Sequence, residues 1–333
     1  MVPNTIDDPR RVSGGNIYDQ HVRDGLRSSG WDVRIVLVPD GRGSVRILQG
    51  VPDDALTLID GLIAARIPEE LVAQSSRLRM VILAHMVTAP VEQAREALRA
   101  AKRIITTSDW TRSELISLDL AEPGHVVVAH PGTDSATPTV ASPSGGRLLS
   151  VGVVSHHKGQ DLLIRALGQL TDVDDWTCTI VGSLDAAPDF VDELTRAIRR
   201  THLTTRTALT GILTGSLLER AYGEADLVVV PSRSESYGMV VAEALARGIP
   251  VLAARVGGIP EALSSIAAGM MIPPEDPWAL EVVLRQWWAS PERRTELKTA
   301  AVRARELARP WSGTVAIIAS TFDEILAETA VSA

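Results

Sequence analysis

The densest run of residues able to do chemistry is Pro231-Ser-Arg-Ser-Glu-Ser-Tyr-Gly-Met-Val-Val-Ala-Glu-Ala-Leu-Ala-Arg-Gly-Ile-Pro250. It follows an apolar strand pattern, Asp226-Leu-Val-Val-Val230. Gly238 opens a helix whose end is marked by Arg247, Gly248 and Pro250. A helix N-terminus behind a parallel strand offers free backbone N–H groups and a favourable dipole to an anion. The amides around Ser236, Tyr237, Gly238, Met239 and Val240 would suit a diphosphate. Glu235 then lies just before that N-terminus, and Glu243 a turn or more into the helix. Carboxylates accept hydrogen bonds from hydroxyls, and a nucleotide sugar has hydroxyls on both sides of its diphosphate. Glu243 would take the ribose hydroxyls and Glu235 the hexose hydroxyls. The two acids alone fit a plainer reading equally well, in which Glu235 compensates the helix dipole and Glu243 is solvated.

Other candidates sort quickly. His85 closes the apolar run Arg79-Met-Val-Ile-Leu-Ala84, and Gly14-Gly15 precede a helical pattern that runs from Ile17 to Ser28. The glycines allow a close backbone approach but lack the third glycine of a dinucleotide fingerprint. His156-His157 has no cysteine or carboxylate at ligand spacing, so no metal site is expected. There is no Gly-x-Ser-x-Gly elbow and no Gly-Lys-Ser/Thr phosphate loop. The single cysteine, Cys178, sits in an apolar run, is read as a core residue and suits a reducing cytoplasm. Trp287-Trp288 is read as core or interface packing. A net charge of -8 argues against nucleic acid as the main partner. No signal peptide or membrane-spanning stretch is visible, which places the protein in the cytoplasm.

These residues need elements to hold them. At 333 residues the chain suits two domains. Strand patterns Val33–Val38, Arg79–Ala84, Arg103–Thr106 and His125–Ala129 alternate with helical patterns such as Val91–Ala101 and Trp110–Leu118. Arg147–Val151, Thr177–Val181, Asp226–Val230 and Pro250–Ala254 repeat the theme. Near-continuous apolar strands between helices predict parallel sheets covered on both faces. The segment from Ser135 to Gly146 has linker composition. We therefore expect an α/β protein of two doubly wound, Rossmann-like domains, residues 1–138 and 147–309, facing a ligand cleft. Met1 to Pro9 is no proper strand, so the first domain is expected to lack most of its first strand.

The spacing Ser232-x-x-Glu235-x-x-Gly238-x-x-x-x-Glu243-Ala-x-Ala-x-Gly248-x-Pro250, with Gly257-Gly258-x-Pro260-Glu261, resembles the retaining GT-B glycosyltransferases of family GT4. Ser150-Val-Gly-Val-Val-Ser-His-His-Lys-Gly-Gln-Asp-Leu-Leu, Thr179-Ile-Val-Gly182, Leu209-Thr-Gly211 and Ala221-Tyr-Gly-Glu-Ala-Asp226 are similar to that family in order and spacing. Gly14-Gly15, Ser108 and Pro131-Gly-Thr-Asp134 fit more loosely.

The resemblance implies a GT-B fold with a C-terminal helix (310–333) crossing back to the first domain. It implies an acceptor-binding first half, and transfer of a hexose from a nucleotide-diphosphate sugar with retention. Catalytic roles would fall to His85, Lys158 and Glu235. Gly15, Lys158, Gly182, Glu235, Ser236, Tyr237, Gly238, Met239, Val240 and Glu243 would bind the donor. Lys158 would meet the diphosphate, and no metal or other cofactor is implied. The chain departs from the family in carrying Val153 where an Arg commonly follows the Gly. His156, His157 or Arg233 would have to replace that cation. A UDP-sugar is the first expectation for the donor and GDP-mannose the second. A small soluble acceptor is favoured over a lipid, so membrane association is not called for; the oligomeric state stays open. A disaccharide phosphorylase of the same fold and a non-catalytic sugar-nucleotide-binding protein are the alternatives.

Overall fold

A computed structural model describes residues 1–9, 11–39, 44–87, 91–263 and 267–331. They fall into two compact units, Met1–Gly132 with Pro310–Ala333, and Thr133–Arg309. Residues 133–138, assigned to the first domain on sequence, belong to the second unit: Thr133 N donates to Arg309 O (2.8 Å) and Arg305 Nη2 to Ala136 O (2.9 Å).

In the first unit the strands are β1 (Val2–Pro3), β2 (Leu37–Val38), β3 (Leu56–Asp60), β4 (Arg79–Ala84), β5 (Arg103–Thr106) and β6 (Val126–Val128). β3-β4-β5-β6 form one parallel sheet and β1-β2 a short parallel pair. Met1 joins the two, because its amine donates to Leu58 O and Asp60 N donates to Met1 O. β4 shows why its sequence is apolar throughout. Met80, Ile82 and Ala84 enter one core cluster while Val81 and Leu83 enter another on the opposite face.

The expected strand Val33–Val38 forms only over Leu37–Val38, since β1 offers a pairing partner to those residues alone. Beside the unpaired part lies a cavity of about 720 Å³ lined by Val22, Leu26, Trp31, Leu56 and Phe322 among others. Met1–Pro9, read as no proper strand, contributes only the two-residue β1. The strand expected over His125–Ala129 is shorter, because Pro123–His125 takes a 3₁₀ turn. The C-terminal helix Trp311–Val331 packs on the helix Gly14–Ser28, with Val315, Ile318, Phe322 and Ile325 meeting Tyr18, Val22 and Leu26.

The second unit holds β7 (Arg147–Val151), β8 (Thr177–Val181), β9 (Thr207–Gly211), β10 (Leu227–Val230), β11 (Val251–Ala254) and β12 (Gly269–Ile272). All are parallel, in the order β12-β11-β10-β7-β8-β9. Leu227 and Val229 of β10 enter one core and Val228 and Val230 the other. Cys178 is buried in the first of these, where desolvation pushes its thiol up to about 12, and Trp287 and Trp288 pack there too. The segment 135–146 has no regular structure but is tied down at Asp226, whose carboxylate accepts from Ser142 N and Ser142 Oγ, both at 2.6 Å. Among the described residues no helix is long and apolar enough to cross a membrane.

Candidate functional site

The second unit gathers most of the predicted residues at one place in its topology. β7 and β10 are neighbours, and the chain runs from β7 to β8 on one side and to β11 from β10 on the other. The C-terminal ends of such a pair form the switch point where doubly wound sheets bind ligands. Gly152 to Lys158 follow β7, and Pro231 to Gly238 follow β10.

Lys158 closes the 3₁₀ turn His156–Lys158, and its stem lies over Gly152. Its Nζ donates to Glu235 Oε2 at 2.6 Å, with the two side chains 21% and 15% exposed. Two residues expected to touch different parts of one ligand thus hold each other. The turn at Gly257-Gly258 pins the Glu235 loop, because Gly258 N donates to Glu235 O at 3.1 Å. At Gly257, φ is +53° and a Cβ would lie 1.6 Å from Glu235 O, so only glycine fits. Gly182 follows β8, and there a Cβ would lie 1.8 Å from Gly152 O.

Gly238, with φ +97°, is the N-cap of the helix Met239–Ala246 and brings no side-chain cap. Val241 N and Ala242 N return to Gly238 O. The amides of Met239 and Val240 have no acceptor among the described residues, which is the condition for receiving an anion. Ser236 and Tyr237 form the loop ahead of them, Tyr237 being buried.

Glu243 does not stand alone as a hydroxyl acceptor. Its Oε2 accepts from Tyr222 Oη at 2.6 Å. Burial raises the pKa of this carboxyl, with the tyrosine hydroxyl acting in the opposite sense. Arg247 lies 4.3 Å above the Tyr222 ring, pairs with Glu219 and donates to Glu243 O at 2.9 Å.

The candidates for replacing the cation missing at Val153 are engaged elsewhere. Arg233 makes a bidentate pair with Asp161, both bonds 2.7 Å, and donates to His156 O at 2.7 Å. This fork clips the two loops together, aided by Arg233 N donating to His157 O (2.8 Å). His157 Nδ1 meets Ser155 Oγ at 3.0 Å; burial, then the charge of Lys158, lowers its pKa and favours the neutral ring. His156 packs edge-on against Phe190.

In the first unit, His85 follows β4 and lies under Gly15, whose position for a Cβ would be 3.4 Å from His85 Cδ2. Gly15 belongs to the helix Gly14–Ser28, capped by Ser13 Oγ accepting from Asn16 N. His85 Nε2 is 2.8 Å from Asp19 Oδ1 and 3.8 Å from Asp60 Oδ2, both aspartates being buried. These three residues each place a ligand atom within 4.8 Å of the others, a spacing a cation could use. The His85–Asp19 hydrogen bond already occupies the closest pair of atoms.

Sequence reasoning passed over Asp19, Asp60, Asp161 and the role of Tyr222. Asp19 was recoverable, lying one helical turn after Gly15 and so on the same helix face.

With this geometry described, comparison with known proteins is informative. Residues 140–304 match the family Glycosyl transferases group 1, covering every second-unit residue discussed above from Gly152 to Gly258. Over this segment the chain belongs to the group 1 glycosyl transferases. Among curated relatives, a D-inositol 3-phosphate glycosyltransferase of Kineococcus radiotolerans is 32% identical over 240 residues, covering 62% of this chain and 54% of the relative. One from Mycobacterium leprae is 33% identical over 241 residues, 66% and 54% respectively. The chain spans about half the length of these relatives.

A likeness in fold extends across both units. Sucrose-phosphate synthase from Thermosynechococcus elongatus superposes with a TM-score of 0.80 at 19% identity, covering 97% of this chain and 98% of that one. HepE of Anabaena, solved in complex with UDP-glucose, gives 0.73 at 20% identity, covering 94% and 97%. The architecture is therefore GT-B, α/β with parallel sheets and a C-terminal helix packed on the first unit.

Proposed function

We propose that this protein is a glycosyltransferase that moves a hexose from a nucleotide-diphosphate sugar to a hydroxyl of a small acceptor, with retention of anomeric configuration. The observation that carries the reading is the meeting of Lys158, Glu235 and the uncapped Gly238 helix N-terminus at the β7–β10 switch point, inside the family-matched segment. The helix amides and Lys158 would stabilise the charge that grows on the departing diphosphate. Glu235 and Glu243 would accept hydroxyls of the hexose and ribose, and His85 of the first unit would serve the sugar or acceptor.

No side chain in the second-unit site offers itself as a nucleophile on geometry, so we favour a front-face course. The C1–O bond to the diphosphate breaks, the C1–O bond to the acceptor forms, and the acceptor's proton passes to the leaving diphosphate. No metal is required in this scheme. UDP-sugars are the first donor to test and GDP-mannose the second. Similar proteins solved in complex with UDP and UDP-glucose support that order. The names of the curated relatives make a small phosphorylated polyol the first acceptor to try.

The test is a thermal-shift screen over UDP, GDP and ADP with their sugars, then transfer to polyol phosphates with the product anomer read by NMR. Stabilisation by one nucleotide and transfer with retention support the proposal. Donor synthesis from phosphate without nucleotide would establish a phosphorylase instead. Binding without transfer or slow donor hydrolysis would establish a non-catalytic binder.

A further inference from the structure

Among the described residues of the first unit, His85 and His130 both lie close to a carboxylate, and the more enclosed environment is that of His85. Its side chain is 15% exposed, while those of Asp19 and Asp60 are 4% and 5% exposed. Nε2 lies 2.8 Å from Asp19 Oδ1 and 3.8 Å from Asp60 Oδ2. Nδ1 has no hydrogen-bond partner among the described residues. The supports are rigid. Asp19 sits inside the helix Gly14–Ser28. Asp60 ends β3, and its Oδ1 accepts from Leu62 N at 2.6 Å to cap the helix Gly61–Arg66. Tyr18 meets the ring edge-on at 5.3 Å, and Thr107 Oγ1 donates to His85 O at 3.4 Å.

We propose that Asp19 is a positioning residue: it fixes Nε2 of His85 as a donor and leaves Nδ1 as the atom that meets the substrate, with Asp60 beside the same nitrogen. A carboxylate only accepts hydrogen bonds, so the nitrogen facing it must carry the proton. The remaining nitrogen accepts when the ring is neutral and donates when it is charged. Two carboxylates around one nitrogen favour the charged state, in which Nδ1–H is a donor to a sugar or phosphate oxygen.

The charges around the ring act in both directions, because the carboxyl of Asp60 is itself raised, by burial first, with the charge of His85 opposing and Asp19 adding to the rise. Burial is the largest influence on His85 and lowers its pKa, but the charge and hydrogen bond of Asp19 with the charge of Asp60 outweigh it and raise the value above 6.5. The other cationic group near this cluster is the Met1 amine, which desolvation pushes down to about 6, so at neutral pH it competes little.

The proposal rests on His85 serving the transfer reaction, and its test separates the two ideas. Nitrogen-15 NMR of the His85 ring in the full-length protein, titrated between about pH 5 and 9, reads tautomer and midpoint without any substrate. The wild type is expected to show the Nε2–H tautomer and a midpoint above about 6.5. Asp19→Asn keeps an acceptor oxygen but removes the charge, and should lower the midpoint by about one pH unit or more. Asp60→Asn, which retains an oxygen for Leu62 N, should lower it less. It also covers the case in which the Asp19 variant fails to fold. The alkaline limb of kcat against pH should move down with the midpoint, with kcat about tenfold lower above neutral pH for Asp19→Asn. An Nδ1–H tautomer in the wild type, or midpoints unmoved in both variants, would overturn the proposal. A shifted midpoint together with full turnover in His85→Ala would instead overturn the catalytic assignment of His85, and with it the part played by Asp19 in transfer.

Discussion

Lys158 and Glu235 make the most demanding prediction, because the structure pairs two residues that the proposed chemistry uses separately. The pair is short, 2.6 Å, and both side chains are more than three-quarters shielded. A charge-assisted hydrogen bond in such a place contributes about 1.5–3 kcal/mol. If the pair were only structural, Lys158→Ala and Glu235→Ala would each leave one largely shielded charge without its partner and lower Tm. The double variant, having no orphan, would recover part of that loss. Turnover would follow stability and the double variant would be no worse than either single.

If instead Lys158 meets the departing diphosphate and Glu235 the hexose, each single loses an interaction with the transition state. A loss of about 1.4–3 kcal/mol lowers kcat/KM about 10- to 150-fold. The double variant then falls further, by at least about another tenfold, even as its Tm partly recovers. The assay is nucleotide release from the donor identified by the screen, with Tm measured on the same four proteins. Near-normal turnover in both singles would refute the reasoning. So would a double variant whose kcat/KM equals that of the worse single.

Three further outcomes can be checked. Asp226 accepts from Ser142 N, Ser142 Oγ, Arg147 N, Arg147 Nε and Arg147 Nη2, with its side chain fully buried; Asp226→Asn should cost about 2–4 kcal/mol in denaturant unfolding. Burial pushes that carboxyl up, but the bonds from Arg147 and Ser142 prevail and hold it below 3.8. Its contribution is therefore complete above about pH 4 and is lost as pH falls through the lower folded value, so the variant should show a weaker acid dependence than the wild type. Gly257→Ala, with its Cβ driven into Glu235 O, should weaken nucleotide binding at least about tenfold in calorimetry while the protein remains folded. Removing divalent ions with EDTA should leave transfer unchanged, and a chelator-sensitive reaction restored by one metal would count against the metal-free scheme.

The second-unit candidate site was legible in the sequence because its residues cluster after two strands that are apolar from end to end. β7 and β10 announce themselves by composition, and so does the Gly238 helix start. β3 escaped notice because Leu56-Thr-Leu-Ile-Asp60 runs straight into Gly-Leu-Ile-Ala-Ala65, where periodicity cannot tell a buried strand from a buried helix. β9 and β12 are short outer strands of weak strand composition, Thr-Ala-Leu-Thr-Gly and Gly-Met-Met-Ile, and take their form from a neighbour. Val33–Val38 erred the other way. The apolar pattern was real, but a strand exists only where another pairs with it.

Side-chain partnerships were the least legible level. Lys158 and Glu235 are 77 residues apart and Asp161 and Arg233 are 72 apart, so only the packing of two strand ends reveals them. Val153 was legible as a departure from the family pattern. That Arg233 is held by Asp161 and that His157 is kept neutral was not.

The partnerships change how a cation-poor phosphate site can work. With Val153 in place of an arginine and Arg233 turned to Asp161, positive charge at the switch point rests mainly on Lys158 and the Met239 and Val240 amides. Lys158 is not idle in the unliganded protein, since it neutralises Glu235. A phosphate that draws Lys158 away would leave a largely shielded carboxylate with no donor, which costs about 1–3 kcal/mol. A ligand that carries hydroxyls beside its phosphates replaces both halves of the pair at once, the phosphate taking Lys158 and a hydroxyl taking Glu235. On the proposed function the ion pair would therefore act as a filter, penalising the bare nucleotide diphosphate relative to the intact sugar nucleotide and so favouring loading of donor and release of product.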